Sequence, residues 1–182
     1  MHPDDDSDII ELFRDESTRN GALEKLIARY QQRLYWHIRK IVIDHDDADD
    51  VLQNTFIKTW KALAGFKGES RLYTWIYRIA TNEALTFLRQ KKRMNTSSIH
   101  PIEHELSRNL ESDVYFRGDE IQLRLQQAIL SLPEKQRLVF NMRYYDEMPY
   151  EAMSEVLETS VGALKASYHI AAKKIEQMLV NA

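Results

Sequence analysis

The sequence predicts an all-α fold of two helical modules joined by a flexible linker. Apolar residues recur at the 3.6-residue spacing of amphipathic helices along nearly the whole chain of 182 residues. Between residues 94 and 120 this periodicity fades into a polar, acidic stretch that contains one proline. We therefore expect a first module over residues 1–93, a linker over 94–120 that could hold a weak helix, and a second module over 121–182.

Two amphipathic helices are expected to begin the first module. Asn20 is placed to cap the first of them, whose apolar positions continue at helical spacing to Val42. Asp47 and Asp50 stand at the N-cap and N3 positions of the second, an arrangement similar to a capping box. This second helix ends at 64–65, and its expected buried residues are Val51, Leu52, Phe56, Trp60 and Leu63.

A third helix is expected after a short polar loop at 66–69. Ser70 is placed to cap it, and basic residues at 89–93 close it. Its expected buried stripe consists of Leu72, Trp75, Ile76, Ile79, Ala84, Phe87 and Leu88.

The second module is expected to end in two short helices joined by a tight turn. Two further helices are expected before them. A capping box formed by Ser131 and Glu134 around Pro133 begins the second of these. Their expected inward residues are Ile121, Leu125, Ile129, Leu132, Val139, Phe140 and Met142. Pro149 begins the first short helix, the chain turns at 158–159, and Ser160 caps the last helix. This arrangement is typical of a helix-turn-helix that reads DNA, although a surface helical hairpin has the same pattern.

The charge is distributed unevenly along the chain. Although the net charge is -3, residues 64–93 hold seven basic and two acidic side chains. Basic segments attract the phosphates of nucleic acid, and acidic segments repel them. We therefore expect the chain by itself to bind free DNA weakly.

The composition excludes several classes of function. There are no cysteines, which rules out disulfides, thiolate zinc sites and thiol nucleophiles and favours a cytoplasmic location. The first eight residues are acidic, and no apolar run reaches the roughly 18 residues of a membrane span, so no membrane insertion is expected. Glycine-rich phosphate-binding motifs are missing, and no cofactor is implied.

Four blocks of the second module resemble region 4 of bacterial sigma factors of the extracytoplasmic-function (ECF) group. They are Leu-Pro-Glu-Lys-Gln-Arg at 132–137, Met-Arg-Tyr-Tyr at 142–145, Met-Pro-Tyr-Glu at 148–151 and Ser-Val-Gly-Ala-Leu-Lys at 160–165. The resemblance implies that the last helix binds the -35 promoter element and that the module docks on the flap of the polymerase β subunit. The implied DNA-facing residues are Ser160, Gly162, Ala163, Lys165, Ala166, Ser167, His169 and Lys173. Many family members carry arginines at the positions of Ser167, Ile170 and Ala172, so fewer phosphate contacts are expected here.

The sequence Asp-Ala-Asp-Asp-Val-Leu-Gln-Asn-Thr-Phe at 47–56 resembles region 2.2 of the same family. The resemblance implies docking on the β′ clamp helices of core RNA polymerase through Asp50, Gln53, Asn54, Ile57 and Lys58. A solvated helix face is the alternative for such a polar surface. A metal site in the acidic run at 44–50 is a weaker alternative, because the run lacks the glycine and the distal glutamate of a calcium loop.

Residues 66–70 (Phe-Lys-Gly-Glu-Ser) and 73–82 (Tyr-Thr-Trp-Ile-Tyr-Arg-Ile-Ala-Thr-Asn) resemble regions 2.3 and 2.4, the family's reader of the -10 element. Aromatic rings and cations of this kind hold a melted strand. The implied contacts are Lys67, Gly68, Tyr73, Tyr77, Arg78, Thr81, Asn82, Arg89, Lys91, Lys92 and Arg93, of which Tyr73, Tyr77, Arg78, Thr81 and Asn82 are expected to face outward. Trp75 fits either a core role or a wedge between bases. Ile76 stands where primary sigma factors have a second tryptophan, which implies weaker melting. The basic residues at 89–93 suit either duplex phosphates or the helix macrodipole.

The resemblance as a whole implies a protein without catalytic activity that binds core RNA polymerase and directs transcription initiation through the -10 and -35 elements of promoter DNA. It also implies an anti-sigma factor as a partner, since the family is often held inactive by one. Two other functions remain open from the residues alone. One is a stand-alone helix-turn-helix regulator with an N-terminal dimerisation or sensing domain, and the other is an enzyme built on the Asp-rich segment, for which no catalytic spacing is found.

Overall fold

The computed structural model describes residues 6–94 and 120–180, and every regular element in these two ranges is a helix. In chain order the helices are α1 (Ser7–Arg14), α2 (Arg19–Val42), α3 (His45–Leu63), α4 (Leu72–Met94), α5 (Glu120–Leu130), α6 (Glu134–Tyr144), α7 (Tyr150–Leu157) and α8 (Val161–Val180). The predicted all-α class is confirmed. The predicted linker, with its weak helix, falls almost wholly on residues outside the described ranges.

α2 is the central helix of the first module, and α1, α3 and α4 pack against it. Its apolar stripe is buried as the spacing predicts, with Leu26, Tyr30, Leu34 and Ile38 almost fully excluded from solvent. The predicted start of α3 is wrong by a few residues. Asp44, rather than Asp47, is the N-cap, and its carboxylate accepts hydrogen bonds from the backbone N–H groups of residues 46 and 47.

α1 is absent from the predicted elements. It is held to α2 by the buried carboxylate of Asp6, which accepts hydrogen bonds from the Arg29 guanidinium at 2.8 Å and from the Tyr30 hydroxyl at 2.5 Å. Ile9 is fully buried, and Phe13 packs edge-on against Trp60 of α3. The helix therefore closes one end of the first module.

The second module consists of α5 to α8, with α7 and α8 forming the predicted helix-turn-helix. Glu158 adopts a left-handed conformation (φ 50°) in the turn, and the Ser160 hydroxyl accepts the N–H of Ala163 at the start of α8. The predicted capping box before α6 is wrong, because Pro133 is the N-cap and makes no side-chain cap. Ile121, expected to point inward, is 68% exposed.

The two modules share part of one hydrophobic core. α7 packs against α4, and α6 packs against α2. Met142, Met148 and Met153 of the second module are fully buried in the same cluster as the apolar stripes of α2 and α4. A separate small cluster, which includes Phe140, Ala171 and Ile175, holds α8 to the rest of its module. In this structure the helix-turn-helix therefore lies against the first module.

Candidate nucleic-acid interface

The outward face of α3 carries the five residues predicted to dock on polymerase: Asp50, Gln53, Asn54, Ile57 and Lys58, all of which are exposed. They are exposed because the helix turns its opposite side, with Val51 and Leu52, into the core. Ile57 is 50% exposed, which leaves an apolar side chain among polar ones. We refer to these five residues as the α3 face.

The acidic run before and within α3 serves local structure. Asp44 caps the helix, and Asp47 forms an ion pair with Lys91 of α4 at 2.7 Å. His45 lies 2.6 Å from the Tyr35 hydroxyl through its Nδ1. Within residues 6–94 and 120–180 there is no group of three or more His, Asp or Glu side chains that could hold a metal ion.

The loop between α3 and α4 presents Lys67 and Gly68, both exposed. Gly68 has φ +73°, a conformation that side chains disfavour. Trp75 is half-buried, with its ring centroid 5.0 Å from that of Phe66. Of the two roles open for Trp75, the structure favours the one in packing, where it supports the loop.

A cavity of about 430 Å³ lies beside this loop. Phe66, Lys67 and Gly68 line it, together with Arg14 at the end of α1 and Arg19 at the start of α2. These two arginines are a part of the basic surface that the sequence reasoning missed. The helix α1, which places Arg14 here, was detectable in the sequence. The spacing of Ile9, Ile10, Leu12 and Phe13 is that of a short amphipathic helix.

The expected outward placement of Tyr73, Tyr77 and Thr81 is wrong. They are 6%, 2% and 2% exposed, because their shared side of α4 packs against α2. Tyr73 contacts Tyr77 ring to ring at 4.6 Å, and the Tyr77 ring lies 4.9 Å from that of His37. The Thr81 hydroxyl donates to the Tyr77 carbonyl at 2.7 Å. Spacing alone misassigned this side because α4 packs against three helices, α2, α3 and α7, rather than along a single stripe.

Burial also determines the ionisation of Tyr77. Loss of solvent raises the pKa of its hydroxyl far above the usual value, and the nearby negative charge of Asp146 raises the pKa further. Tyr77 is therefore a neutral side chain at the seam between the two modules.

The other predicted DNA contacts of α4 are more accessible. Asn82, Arg89, Lys92 and Arg93 are exposed, whereas Lys91 is half-buried in its ion pair with Asp47. Arg78 is half-buried and faces the second module, with its guanidinium 3.6 Å from the Glu158 carboxylate. The basic surface of α4 is thus exposed toward its C-terminal end and partly covered near its middle.

α8 carries the residues predicted to read the -35 element. Ser160, Gly162, Ala163, Lys165, Ala166, His169 and Lys173 are exposed, and Ser167 is half-buried. The inward side is formed by Leu164, Ala171 and Ile175. The face predicted from helical periodicity is the face that the structure presents.

The DNA-facing candidates of the two modules meet across a cleft. A cavity of about 430 Å³ is lined from the first module by Arg78, Thr81, Asn82 and Arg89, and from the second by Ala163 and Ser167, among others. At this cleft, part of the DNA-facing side of α4 lies opposite part of the DNA-facing side of α8.

None of the helices in the described ranges is both long enough and apolar enough to cross a membrane.

Comparison with protein families identifies two matching domains. The family Sigma-70 region 2 matches residues 26–94, and the family Sigma-70, region 4 matches residues 122–175. Residues 26–94 include α3 and α4, and residues 122–175 include the helix-turn-helix.

Two curated relatives match most of the chain. The RNA polymerase sigma-H factor of Pseudomonas aeruginosa is 31% identical over 166 residues, which cover 87% of this chain and 86% of that protein. The ECF RNA polymerase sigma-E factor of Escherichia coli is also 31% identical over 166 residues, covering 85% of each protein.

Two solved structures share the fold. CnrH in complex with the cytosolic domain of CnrY matches with a TM-score of 0.70 at 24% identity, over 96% of this chain and 97% of that chain. The sigma factor RpoE of Bartonella quintana, in complex with the anti-sigma factor NepR, matches with a TM-score of 0.67 at 21% identity, over 86% of this chain and 95% of that chain. The family matches and the curated relatives together show that the chain belongs to the RNA polymerase sigma factors of the ECF type.

Proposed function

We propose that this sigma factor docks on core RNA polymerase through the α3 face and contacts promoter DNA through α4 and α8. The observation that carries the proposal is the separation of these surfaces. The α3 face is exposed on one helix, while the basic residues of α4 and the outward face of α8 lie elsewhere. One protein can therefore hold polymerase and DNA at the same time, with affinity from several linked contacts.

For the -10 element, the contacts proposed are those of the 66–68 loop and of the accessible part of α4. Lys67 and Gly68 lie beside a cavity large enough for an unstacked base, and Arg89, Lys92 and Arg93 supply cations for phosphates. The burial of Tyr73, Tyr77 and Thr81 argues for a supporting role within α4 rather than direct stacking on bases.

For the -35 element, the proposed reader is α8 in the major groove. Small residues at Gly162, Ala163 and Ala166 let the helix backbone approach the bases, and Lys165 and Lys173 reach phosphates. With few cations, this helix contributes modest affinity of its own.

The role requires no catalysis by this chain itself and is exercised where polymerase is found, in the cytoplasm. One solved neighbour is described as a sigma factor in complex with an anti-sigma factor. By analogy, an anti-sigma factor is a proposed partner of this chain as well.

Run-off transcription tests the proposal. Purified core polymerase, with and without this chain, would be given a library of genomic fragments, and the transcripts sequenced. We expect initiation at a shared promoter motif only when the chain is present. Failure to bind core, or DNA binding that is equally strong without core, would overturn the proposal in favour of a stand-alone regulator.

A further inference from the structure

A buried ionic cluster joins the two modules. The side chain of Asp146, in the turn between α6 and α7, is only 5% exposed. One of its oxygens lies 2.7 Å from Nδ1 of His37, and the other accepts a hydrogen bond from Nζ of Lys40 at 2.8 Å. His37 is 1% exposed and also contacts Thr81 of α4, at 2.9 Å from its Nε2. Asp146 is thereby tied directly to α2 and, through His37, to α4.

The ionisation of Asp146 agrees with this geometry. Burial by itself raises the pKa of the carboxyl, but the hydrogen bonds and positive charges of His37 and Lys40 outweigh burial and hold the pKa below its usual value. The carboxylate is therefore charged at neutral pH, and its charge is compensated only while the modules are together.

Two more carboxylates of the second module lie on α4. The Thr74 hydroxyl donates to Oε2 of Glu155 at 2.7 Å, and the Arg78 guanidinium lies 3.6 Å from Glu158. Arg78 is one of the proposed DNA contacts. A carboxylate and a phosphate bind the same guanidinium and hydroxyl groups, so Glu155 and Glu158 compete with DNA phosphates for Thr74 and Arg78.

We propose that the segment from Asp146 to Glu158 is an intramolecular latch, in which Asp146 locks the modules together and Glu155 and Glu158 occupy the part of α4 that promoter DNA would otherwise contact. The α3 face lies outside the latch and stays exposed. Polymerase can therefore dock on the latched protein, whereas DNA contact through Arg78 requires it to open. This inference rests on the proposed function of α4 and names the regulation of that surface.

The latch is tested in the free protein by the distance between the modules. Because the chain has no cysteines, Gln32→Cys on α2 and Gln177→Cys on α8, both exposed positions, would carry spin labels for pulsed electron paramagnetic resonance. The test variant is Asp146→Asn. The matched control is Asp6→Asn, because Asp6 is an equally buried carboxylate, 4% exposed, whose partners lie entirely within the first module.

We expect a single short distance in the unsubstituted protein, and an open population increased by about tenfold or more in Asp146→Asn, because removing one charge of a buried pair leaves the others uncompensated. Asp6→Asn should keep the short distance. An unchanged distribution in folded Asp146→Asn, equal opening in both variants, or an open unsubstituted protein would each overturn the latch.

A second variant keeps the test decisive if Asp146→Asn does not fold. Glu155→Gln combined with Glu158→Gln changes two exposed positions, and it should raise the affinity of the free chain for fluorescein-labelled oligothymidine severalfold, because such binding depends on free cations. An unchanged affinity would overturn the role of these carboxylates. Neither readout uses polymerase or a promoter, so a failure of the run-off experiment would refute the proposed function and leave the latch standing.

Discussion

α3 and α4 lie side by side in the first module, but their functional faces differ in access to solvent. Each of the five residues of the α3 face is exposed, whereas α4 is covered by α2, α3 and α7. Near Arg78, α4 lies beside the helix-turn-helix, and its predicted DNA contacts are exposed at Asn82 and again at Arg89, Lys92 and Arg93. The surface proposed for polymerase is thus fully exposed in the free protein, whereas the surface proposed for promoter DNA is partly covered at Arg78.

The difference favours an order of events. Docking through the α3 face needs no rearrangement, whereas full DNA contact needs the modules to separate. Core polymerase that holds the two modules apart would remove the covering of α4 and hold both DNA readers in position. A ligand shifts such an equilibrium only by its preference for the open form, so opening requires that core polymerase bind the open form more tightly than the closed one.

The largest expected effect concerns the exposed α3 face. Ile57→Asp places a charge on the apolar part of the α3 face and should weaken binding to core polymerase by about 30-fold or more, as for a central interface residue. Binding is measured by fluorescence anisotropy with labelled protein. Gln32→Asp, which adds the same charge at an exposed position on α2, is the control and should bind as the unsubstituted protein does. Equal affinities for all three proteins would show that the α3 face does not dock on core polymerase.

A smaller effect is expected for Arg78, in the partly covered middle of α4. Arg78→Ala removes a proposed DNA contact and its contact with Glu158, and it should reduce promoter-dependent transcription by about tenfold with unchanged affinity for core polymerase. Run-off transcription with saturating core separates the two effects. Arg124→Ala, which removes an exposed ion pair with Glu120 on α5, is the matched control. A loss of core affinity in Arg78→Ala would mean that α4, too, faces polymerase.

The contribution of α8 should be smaller again. Lys173→Ala is expected to weaken holoenzyme binding to duplex DNA by about threefold and to reduce the slope of affinity against salt by about one, as for one lost phosphate contact. The neighbouring Lys174 is half-buried and donates to Gln136 at 3.1 Å, so Lys174→Ala should leave the salt slope unchanged. If the two variants reversed their effects, the DNA-facing side of α8 would be misassigned.

The smallest effect concerns the loop before α4. Gly68→Ala should destabilise the loop by about 1 kcal/mol, because φ +73° disfavours a side chain although the space around the glycine is open. Thermal melting and run-off transcription would record a small fall in melting temperature and in activity. Gly65→Ala is the control, since Gly65 has an ordinary φ and a Cβ there would meet only Ala62 O at 3.6 Å. Equal melting temperatures and equal activities of Gly68→Ala and Gly65→Ala would mean that the positive φ of Gly68 matters for neither stability nor transcription.

The sequence was sufficient to predict the parts that depend on local periodicity. The all-α class, the α3 face and the outward face of α8 follow from 3.6-residue spacing, because each helix there buries a single stripe. The turn at Glu158 and the cap at Ser160 follow from local backbone chemistry in the same way. The family resemblance supplied the function, which spacing does not contain.

The errors have a different physical origin. Tyr73, Tyr77 and Thr81 were assigned outward because one helix is expected to have one buried stripe, whereas α4 packs against α2, α3 and α7. The cluster around Asp146 joins residues about 100 positions apart in the chain, His37 and Asp146 being separated by 109. Long-range pairs of this kind leave no periodic signal, so neither the covering of α4 nor the latch could be predicted from one sequence.

The most direct test of the account follows the distance between the modules as core polymerase binds. The protein labelled at Gln32→Cys and Gln177→Cys would be measured by pulsed electron paramagnetic resonance alone and in a transcriptionally active complex with core. We expect one short distance in the free protein and its replacement by a longer one in the complex. The same short distance in both states would contradict it, because a complex that starts transcription with α4 still covered needs no opening at all.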